Sequence, residues 1–438
     1  MPTHYHITGS TANAVAESIE RAIESGRIAA GEQLPTIRAL AAELGVSPTT
    51  VNGAFGLLRA RGRIAGRRRS GSTVVGRVRF QSASPNEAPP GTRSLLEANP
   101  DPALLPAIGP VIAAAVVERR LYGDVRESAA LLAQARRRLR ADGVPEEYVA
   151  VVSGAMDGVE RALTAHLCAG ETVALEDPTY PPYVELARAL QLRVVRVPVD
   201  GHGMTEDGLR EAIRAGARAV VVIPRAQNPC GVAFDDRRAR ALGRLLRAAP
   251  HVLAVEDDYL SEICGVPLHS LAVHAPRFVY VRSYAKLLGP DLRVAIVSGD
   301  ELTVARIRDR QRLGCGWVSH ILQNATGALL ASPDTPRLFA RAKRTYAARR
   351  RAFLAALASA GLDGCGESGF FVWVRVPDEA AAVAGAARAG WAIDAGARYR
   401  ATSEPGVRVT ISRLDPADAP AVAAAISQPP EAERTMVV

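Results

Sequence analysis

Short runs of β-branched residues alternate with amphipathic helical segments through the middle of this 438-residue chain. The apolar spacing predicts helices at residues 158–167 and 237–246 between several of these runs. Strand and helix in alternation predict a doubly wound or related three-layer α/β domain. The predicted strands cover residues 148–153, 172–175, 192–197, 219–223, 252–256, 278–281 and 292–297. Longer helices from about residue 304, with strands at 370–374 and 407–411, predict a smaller α+β unit at the C-terminus.

Composition places the chain among soluble globular proteins with enough apolar material for two or three cores. Apolar residues make up 48% of it and the mean hydropathy is +0.04. The longest apolar run, residues 104–117, is interrupted by proline and glycine and is too short to span a bilayer. The N-terminus lacks the pattern of an export signal, so a cytoplasmic location is expected. The five cysteines are scattered, which favours reduced thiols over disulfides or a zinc site.

The first 75 residues follow a different pattern, that of a winged helix-turn-helix. An apolar stripe predicts a helix over residues 12–25, and Thr36 can cap a second helix over 37–44. Ser47 and Pro48 are typical of the start of a third helix. Residues 63–75 then predict two short strands around an arginine-rich turn, which would form the wing.

Positive charge is concentrated in the same segment. Residues 1–80 contain eleven arginines against five glutamates and no aspartate, a net charge of +6 where the whole chain carries +9. Such a surface is typical of proteins that contact phosphates. Six of these arginines fall within eleven positions: Arg59, Arg61, Arg63, Arg67, Arg68 and Arg69.

The predicted third helix would enter the major groove of DNA. Thr49, Thr50 and Asn52 lie opposite its apolar stripe, directly after Ser47, and are the candidates for contacts with bases. The candidates for phosphate contacts are Arg38, Arg67, Arg68 and Arg69. The stretch LPTIRALAAELGVSPTTV at residues 34–51 closely resembles the DNA-binding domain of the GntR family. It departs at Pro48, where many members carry a basic residue, and the alternative to DNA binding is a domain that binds protein.

Serine, proline, asparagine and glycine dominate the next stretch, which predicts a linker over residues 79–105. The predicted domains are therefore a DNA-binding domain at 1–78 and a larger α/β domain at 106–438, with its small subdomain at about 304–438.

Lysine is almost absent, although Lys and Arg together number 54. The two lysines are Lys286 and Lys343, and the second lies in a run that resembles a solvated helix face. A lysine can lose its proton and attack a carbonyl to form a Schiff base, whereas a guanidinium cannot. Lys286 is therefore a candidate for chemistry.

The surroundings of Lys286 in the sequence fit pyridoxal phosphate, which needs a lysine, a carboxylate for the ring nitrogen, donors to the ring oxygen and an anion site. Asp257 ends an apolar strand and so lies at the edge where α/β sheets bind ligands. Asn228 follows another strand and could bind the ring oxygen. Phosphate donors are predicted at the start of a helix, at Gly154 and Ala155, and at Ser283 and Arg293.

These motifs resemble those of the fold type I aminotransferases over residues from about 100 to 438. NPCG at 228–231 resembles the family's NPTG, and SYAK at 283–286 and EDDY at 256–259 resemble its lysine and aspartate-tyrosine motifs. The resemblance implies that Lys286 forms the internal aldimine, that Asp257 pairs with the pyridinium, and that Asn228 and Tyr259 contact the ring oxygen. It implies that the phosphate is contacted by Ser283, Arg293, Gly154 and Ala155, and that Tyr122 contacts the phosphate bound by the neighbouring subunit. It also implies that Arg408 binds a ligand carboxylate and that Tyr180 lies in the same pocket. Glu127, where the family has glycine, is a departure from the pattern.

A GntR-type domain followed by such a domain resembles the MocR subfamily of transcriptional regulators. The resemblance implies a head-to-tail homodimer that binds double-stranded DNA and senses pyridoxal phosphate, or its adduct with an amino compound, through Lys286. Two alternatives stay open. One is an active aminotransferase that carries a DNA-binding arm, and the other is a regulator that binds no cofactor.

Overall fold

A computed structural model of the chain describes residues 7–29, 31–66, 71–74, 88–114 and 119–427. Within these residues the chain divides into two compact units, of which the first contains the N-terminal segment and the second the bulk of the chain after residue 83. The predicted boundary between residues 78 and 79 falls outside the described residues.

The first unit is built on helices α1 (Ala12–Glu24), α2 (Ile37–Leu44) and α3 (Pro48–Ala60). A hydroxyl begins each helix: the side chains of Thr11, Thr36 and Ser47 accept hydrogen bonds from the backbone N–H groups of Ala14, Ala39 and Thr50. Glycine ends α2 at Gly45, where the backbone is left-handed with φ 65°. The predicted positions of these helices are confirmed.

Strands β1 (Ile64–Ala65) and β2 (Thr73–Val74) form the predicted antiparallel pair of the wing. Strand β2 also contacts the turn before α2, since Val74 donates its backbone N–H to the Glu32 carbonyl at 2.8 Å. A single apolar core joins these elements, and its fully buried members include Ile19, Leu40, Val51, Phe55 and Leu58. The wing is therefore attached to the same core as the helices.

Two of the six clustered arginines form ion pairs within the first unit. Arg61 pairs with Glu20 at 2.6 Å, and Arg63 pairs with Glu24 at 2.9 Å and with Glu20 at 3.4 Å. Both therefore tie the end of α3 back to α1. Arg67, Arg68 and Arg69 lie outside the described residues.

The second unit contains an eight-stranded sheet among its described residues, in the order β4-β11-β10-β9-β8-β5-β6-β7. Strands β10, β9, β8, β5 and β6 are parallel, while β11 and β7 run antiparallel to their neighbours. The bounds are β4 Val149–Val152, β5 Thr172–Asp177, β6 Arg193–Asp200, β7 Gly203–Met204, β8 Ala217–Val222, β9 Leu253–Asp258, β10 Phe278–Ser283 and β11 Ala295–Gly299. Each predicted strand lies on an observed one, with ends that differ by up to three residues, and the predicted α/β class is confirmed.

Helices cover both faces of this sheet, so its central strands are buried almost throughout, and their first halves are largely apolar. The helices of the large part are α4 Gly109–Ala114, α5 Ala129–Ala141, α6 Ala155–His166, α7 Pro181–Ala189, α8 Glu206–Arg214, α9 Asp236–Ala248, α10 Ala285–Leu288, α11 Glu301–Arg312 and α12 His320–Ala331. The predicted helices at 158–167 and 237–246 correspond to α6 and α9.

The small subdomain begins later than the predicted residue 304. Helix α11 packs against α6 and the large sheet, and α12 packs against α5. A separate apolar core starts within α13 (Thr335–Ser359), at Phe353. The small subdomain also contains β12 Gly364–Cys365, β13 Phe371–Arg375, β15 Asp394–Ala395, β16 Gly406–Thr410, α14 Glu379–Arg388 and α15 Ala419–Ser427. Amphipathic spacing alone does not show which sheet a helix covers, and this explains the difference.

The predicted linker at 79–105 is too long at its C-terminal end. Strand β3 (Arg93–Ser94) pairs in parallel with β14 (Trp391–Ala392), and Leu95 is buried in the core of the small subdomain. Leu104 belongs to the core of the large part. The sequence did not indicate that this segment is part of the fold, because only a few apolar side chains in a mostly polar stretch pack into the cores. None of the helices that the structure describes is both long and apolar enough to cross a membrane.

Replacement of Gly56 by alanine should stabilise the first unit. Gly56 lies inside α3, and a Cβ there would meet no atom of the described residues within 4 Å. Removing a glycine from a helix interior contributes about 0.5–1 kcal/mol. Thermal or urea unfolding measures the difference. The neighbouring Phe55→Ala change should instead cost about 3–5 kcal/mol, because Phe55 is fully buried in the core. Equal effects of the two substitutions would contradict this account of α3.

Candidate functional site

Four strand ends converge on one edge of the large sheet. Strands β4, β8, β9 and β10 point in the same direction, since β11 is antiparallel to both β4 and β10. Chain segments that leave these strands therefore emerge side by side, as the carboxyl ends of parallel strands do in other α/β domains. Nine of the predicted site residues lie on these segments or on the one after β5, and they line one cavity of about 170 Å³: Gly154, Ala155, Tyr180, Asn228, Asp257, Tyr259, Ser283, Lys286 and Arg293.

Lys286 extends from the short helix α10, directly after β10, into this cavity. Its pKa is lowered to about 8, because burial disfavours the charged form and the guanidinium groups of Arg408 and Arg293 repel it, while Asp257 acts in the opposite direction. The unprotonated amine, which is the form that attacks a carbonyl, is therefore more populated near neutral pH than in an exposed lysine.

Asp257 is buried at the end of β9 with its two oxygens in different situations. Its Oδ2 accepts a hydrogen bond from the Tyr183 hydroxyl at 2.5 Å, while its Oδ1 is buried and has no hydrogen-bond partner among the residues that the structure describes. Burial raises its pKa to about 7, against the lowering effect of Tyr183. An unpartnered buried carboxylate oxygen beside a cavity is costly unless a ligand supplies a donor. A protonated ring nitrogen would supply one.

Tyr183 is a site residue that the sequence analysis missed. It lies on α7, three residues after Tyr180, and is fully buried. A tyrosine in an apolar helix position reads as core, and only the tertiary contact with Asp257 reveals its role.

The opposite end of the cavity offers donors for an anion. Gly154 has a φ of 104°, a conformation that favours glycine, and it begins α6 without a side-chain cap. The first N–H groups of α6 are therefore available to a ligand. Arg293 lies beside them, with its Nη2 donating to the Ser153 carbonyl at 3.0 Å. Ser283 lines the same cavity and accepts from the Ala285 N–H at 3.3 Å.

Asn228 and Tyr259 line the middle of the cavity. The Asn228 Oδ1 accepts from Arg408 at 3.3 Å, so its amide nitrogen is the end left to donate to a ring oxygen. The Tyr259 hydroxyl donates to the Ala226 carbonyl at 2.7 Å and would have to share or exchange that bond to contact a ligand.

Arg408 is held beside the cavity and is buried. It pairs with Asp394 at 2.5 Å and also donates to the Leu96 carbonyl. Within the described part of the chain its Nε has no hydrogen-bond partner. A ligand carboxylate at Arg408 would have to compete with Asp394, a partner that sequence reasoning missed. Carboxylate binding by Arg408 stays a prediction.

Tyr122 is not among the residues that line the cavity. It is 93% exposed and contacts Trp317 edge-on, with ring centroids 5.5 Å apart. Tyr180 does line the cavity and packs edge-on against Tyr183 at 5.4 Å.

A second contact missed by sequence reasoning joins the large part to the small subdomain. The Asp177 carboxylate, at the end of β5, accepts hydrogen bonds from the backbone N–H groups of Ala401, Thr402 and Ser403 at 2.8 to 3.2 Å. Burial alone would raise the pKa of Asp177, but these bonds and the nearby Arg196 hold it below its ordinary value. The loop that leads to β16 and Arg408 is therefore attached to the same sheet edge.

In the first unit, the predicted DNA-contacting residues lie at the start of α3. Ser47, Thr49 and Asn52 are exposed, whereas Thr50 is half-buried and its hydroxyl lies 2.9 Å from that of Ser47. Ser47 therefore caps the helix in addition to any contact with DNA. Arg38 is exposed on α2.

Comparisons with known proteins agree with this architecture. The family model "Aminotransferase class I and II" matches residues 90–426, and the model "Bacterial regulatory proteins, gntR family" matches residues 11–74. The vitamin B6 salvage pathway transcriptional repressor PtsJ of Salmonella typhimurium is 34% identical over 428 residues, which are 96% of this chain and 99% of that protein. The chain belongs to the MocR subfamily of GntR-type transcriptional regulators.

Other relatives of this MocR-type chain include the pyridoxine biosynthesis regulator PdxR of Corynebacterium glutamicum, 26% identical over 79% of this chain and 78% of that protein. Among solved structures, the α-aminoadipate aminotransferase LysN of Thermus thermophilus is similar with a TM-score of 0.70 and 21% identity. That similarity covers 84% of this chain and 95% of LysN, and it shows the fold.

Replacement of Tyr183 by phenylalanine should weaken the binding of pyridoxal phosphate about tenfold or more. The substitution removes a hydrogen bond to a charged group, a contribution of about 1.5–3 kcal/mol. It should also raise the pKa of Asp257, so the loss should be greater at pH 6 than at pH 8. Equilibrium dialysis across this pH range measures both effects. Tyr180→Phe is the matched control, because Tyr180 is not bonded to Asp257, and a loss with the same pH dependence in that variant would refute the role assigned to Tyr183.

Proposed function

We propose that this MocR-type regulator binds pyridoxal phosphate at Lys286 and that occupancy of the site changes its binding to DNA. Pyridoxal phosphate supplies an aldehyde that forms a Schiff base with a primary amine. The observation that supports the proposal most directly is the cavity itself. Three groups face the same space: the Lys286 amine with its lowered pKa, the Asp257 carboxylate with its unpartnered oxygen, and the N-terminus of α6, which has no side-chain cap.

Each end of this cavity has a defined task in the proposal. Asp257 would hold the ring nitrogen through its free Oδ1, and Asn228 with Tyr259 would contact the ring oxygen. Gly154, Ala155, Ser283 and Arg293 would bind the phosphate. The names of PtsJ and PdxR refer to vitamin B6 salvage and pyridoxine biosynthesis, which supports a ligand of the same chemical class.

We further propose that the aminotransferase-like domain acts as a sensor, with slow or no turnover. Asp394 already balances the charge of Arg408, so an amino-acid carboxylate gains little by entering. An active aminotransferase with a DNA-binding arm remains the second candidate, favoured by its complete set of cofactor residues. Conversion of an amino acid and a keto acid by the purified protein through many cycles would establish that alternative.

A homodimer is also part of the proposal. Several large apolar side chains of the second unit are exposed, which is typical of a surface that associates with another protein. They include Leu121, Tyr122, Val125 and Leu313. We propose that a second copy of this chain covers them in the head-to-tail arrangement expected for MocR regulators. In this arrangement Tyr122 would reach the partner's phosphate site.

The DNA-binding domain supports a cytoplasmic location.

Reduction with borohydride tests the chemistry at the lysine. After incubation with pyridoxal phosphate, peptide mapping should find the reduced label on Lys286, and Lys286→Ala should lose it. Lys343→Ala is the matched control, because Lys343 is exposed on α13 and is the one other lysine of the chain. The rate of labelling should increase as the pH rises through about 8, where the Lys286 amine loses its proton. Label on Lys343 instead, or no label, would contradict the proposal.

A DNA titration tests the regulatory step. Fluorescence anisotropy measures the affinity of the full chain for the DNA upstream of its own gene. This affinity should change about 5- to 150-fold when pyridoxal phosphate is added, which is the range that typical coupling energies produce. Lys286→Ala should bind DNA without this response, and Lys343→Ala should respond as the unmodified chain does. An unchanged response of Lys286→Ala would show that the effector acts elsewhere.

A further inference from the structure

Two cysteines that are 135 positions apart in the sequence meet at the boundary between the large part and the small subdomain. Cys230 lies in the loop after β8 and is buried, while Cys365 ends β12 and is partly exposed. The two side chains pack in one small apolar cluster with Val232, Trp373 and Tyr399. Cys168 and Cys315 are exposed elsewhere, and Cys264 is buried.

The backbone holds these two segments together independently of the thiols. The Gly231 carbonyl accepts hydrogen bonds from the backbone N–H groups of Glu367 at 2.9 Å and Ser368 at 2.8 Å. The approach is so close that a Cβ on Gly231 would lie 2.6 Å from the Phe371 carbonyl oxygen. A disulfide requires two cysteine Cα atoms about 4.4–6.8 Å apart, so segments fixed at this proximity can be bridged with little movement.

A cavity of about 260 Å³ is lined by both thiols, and it gives a small molecule a path to them. Arg375 also lines it. The hydrogen bond from Cys230 lowers the pKa of the Cys365 thiol, and the positive charge of Arg375 acts in the same direction. Burial and the same hydrogen bond raise the pKa of Cys230. Cys365 is therefore the thiol that attacks first, since the thiolate is the nucleophile.

We propose that Cys230 and Cys365 form a reversible disulfide when the protein meets a peroxide. The Cys365 thiolate attacks one peroxide oxygen, the O–O bond breaks, and the products are a sulfenic acid on Cys365 and hydroxide. The Cys230 sulfur then attacks the sulfur of Cys365, forms the S–S bond, and displaces the hydroxyl group, which leaves as water with the Cys230 proton. The two thiols are oxidised together by two electrons, and hydrogen peroxide is reduced to two water molecules. A dithiol reverses the change by thiol–disulfide exchange.

The bridge would fasten a loop that also shapes the cofactor cavity. The backbone N–H of Ala226, in the same loop, donates to the Ser368 hydroxyl at 2.9 Å, and Tyr259 donates to the Ala226 carbonyl. Asn228 lies two positions before Cys230. The disulfide would therefore join covalently the two segments whose hydrogen bonds position Asn228 and Tyr259.

Peptide mapping under non-reducing conditions tests the proposal on the folded, full-length chain treated with hydrogen peroxide. We expect a cross-linked pair of peptides that contain Cys230 and Cys365, which disappears after dithiothreitol. In Cys230→Ser, dimedone should trap a sulfenic acid at Cys365. Cys168→Ser is the control and should form the cross-link as the unmodified chain does.

Failure of this proposal is separate from failure of the cofactor site. Lys286→Ala should still form the cross-link, because the thiol pair does not depend on the lysine. Oxidation of Cys168 and Cys315 without any Cys230–Cys365 cross-link would overturn the proposal. A cross-link that forms only after denaturation would also overturn it.

Discussion

Three successive carboxylates are buried at the end of β9, and the site depends on how each one is accommodated. Burial of an unpaired carboxylate is costly, so each needs its own partners. Glu256 accepts from Ser270 and from the backbone of Leu271 and Ala272, and its pKa is still raised to about 7 by burial. Asp258 pairs with Arg225 at 2.7 Å, and despite burial this arginine holds the pKa of Asp258 below its ordinary value. Since side chains alternate across a strand, Asp257 points to the other face, where one of its oxygens is left for a ligand.

The same sheet edge connects the cofactor cavity to the small subdomain. Asp177 holds the loop at 401–403, and Arg408 links Asn228 to Asp394 on the small sheet. A ligand that changes the contacts of Asn228 or Arg408 therefore also changes contacts between the two parts of the second unit. A regulator needs such differential contacts, because a ligand shifts a conformational equilibrium only by its difference in affinity between states. The proposed disulfide lies at the same boundary, so ligand and oxidant would act on one set of contacts.

Local patterns predicted the elements of the fold well, whereas assignments that depend on packing were less accurate. The helices of the first unit and the strands of the large sheet were predicted because capping residues and apolar periods are local signals. The predicted start of the small subdomain was wrong because an apolar stripe does not show that α11 packs on the large sheet. The predicted end of the linker was wrong because Leu95 and Leu104 enter the two cores from a largely polar segment. The ion pairs of Arg61 and Arg63 with α1 were also not predicted. The sequence does not distinguish an arginine that pairs with Glu20 on another helix from one that is free to bind a phosphate.

The sequence by itself determined which chemical groups are present and at which strand ends they occur. One lysine, one aspartate, one asparagine and a glycine at a helix start lie after separate apolar strands, and parallel strands bring such ends together. Only the tertiary structure decided the state of these groups. Three contacts join residues far apart in the chain: Tyr183 with Asp257, Arg408 with Asn228, and Cys230 with Cys365. Their pKa shifts and hydrogen bonds arise from burial and close approach, and a linear pattern of residues contains neither.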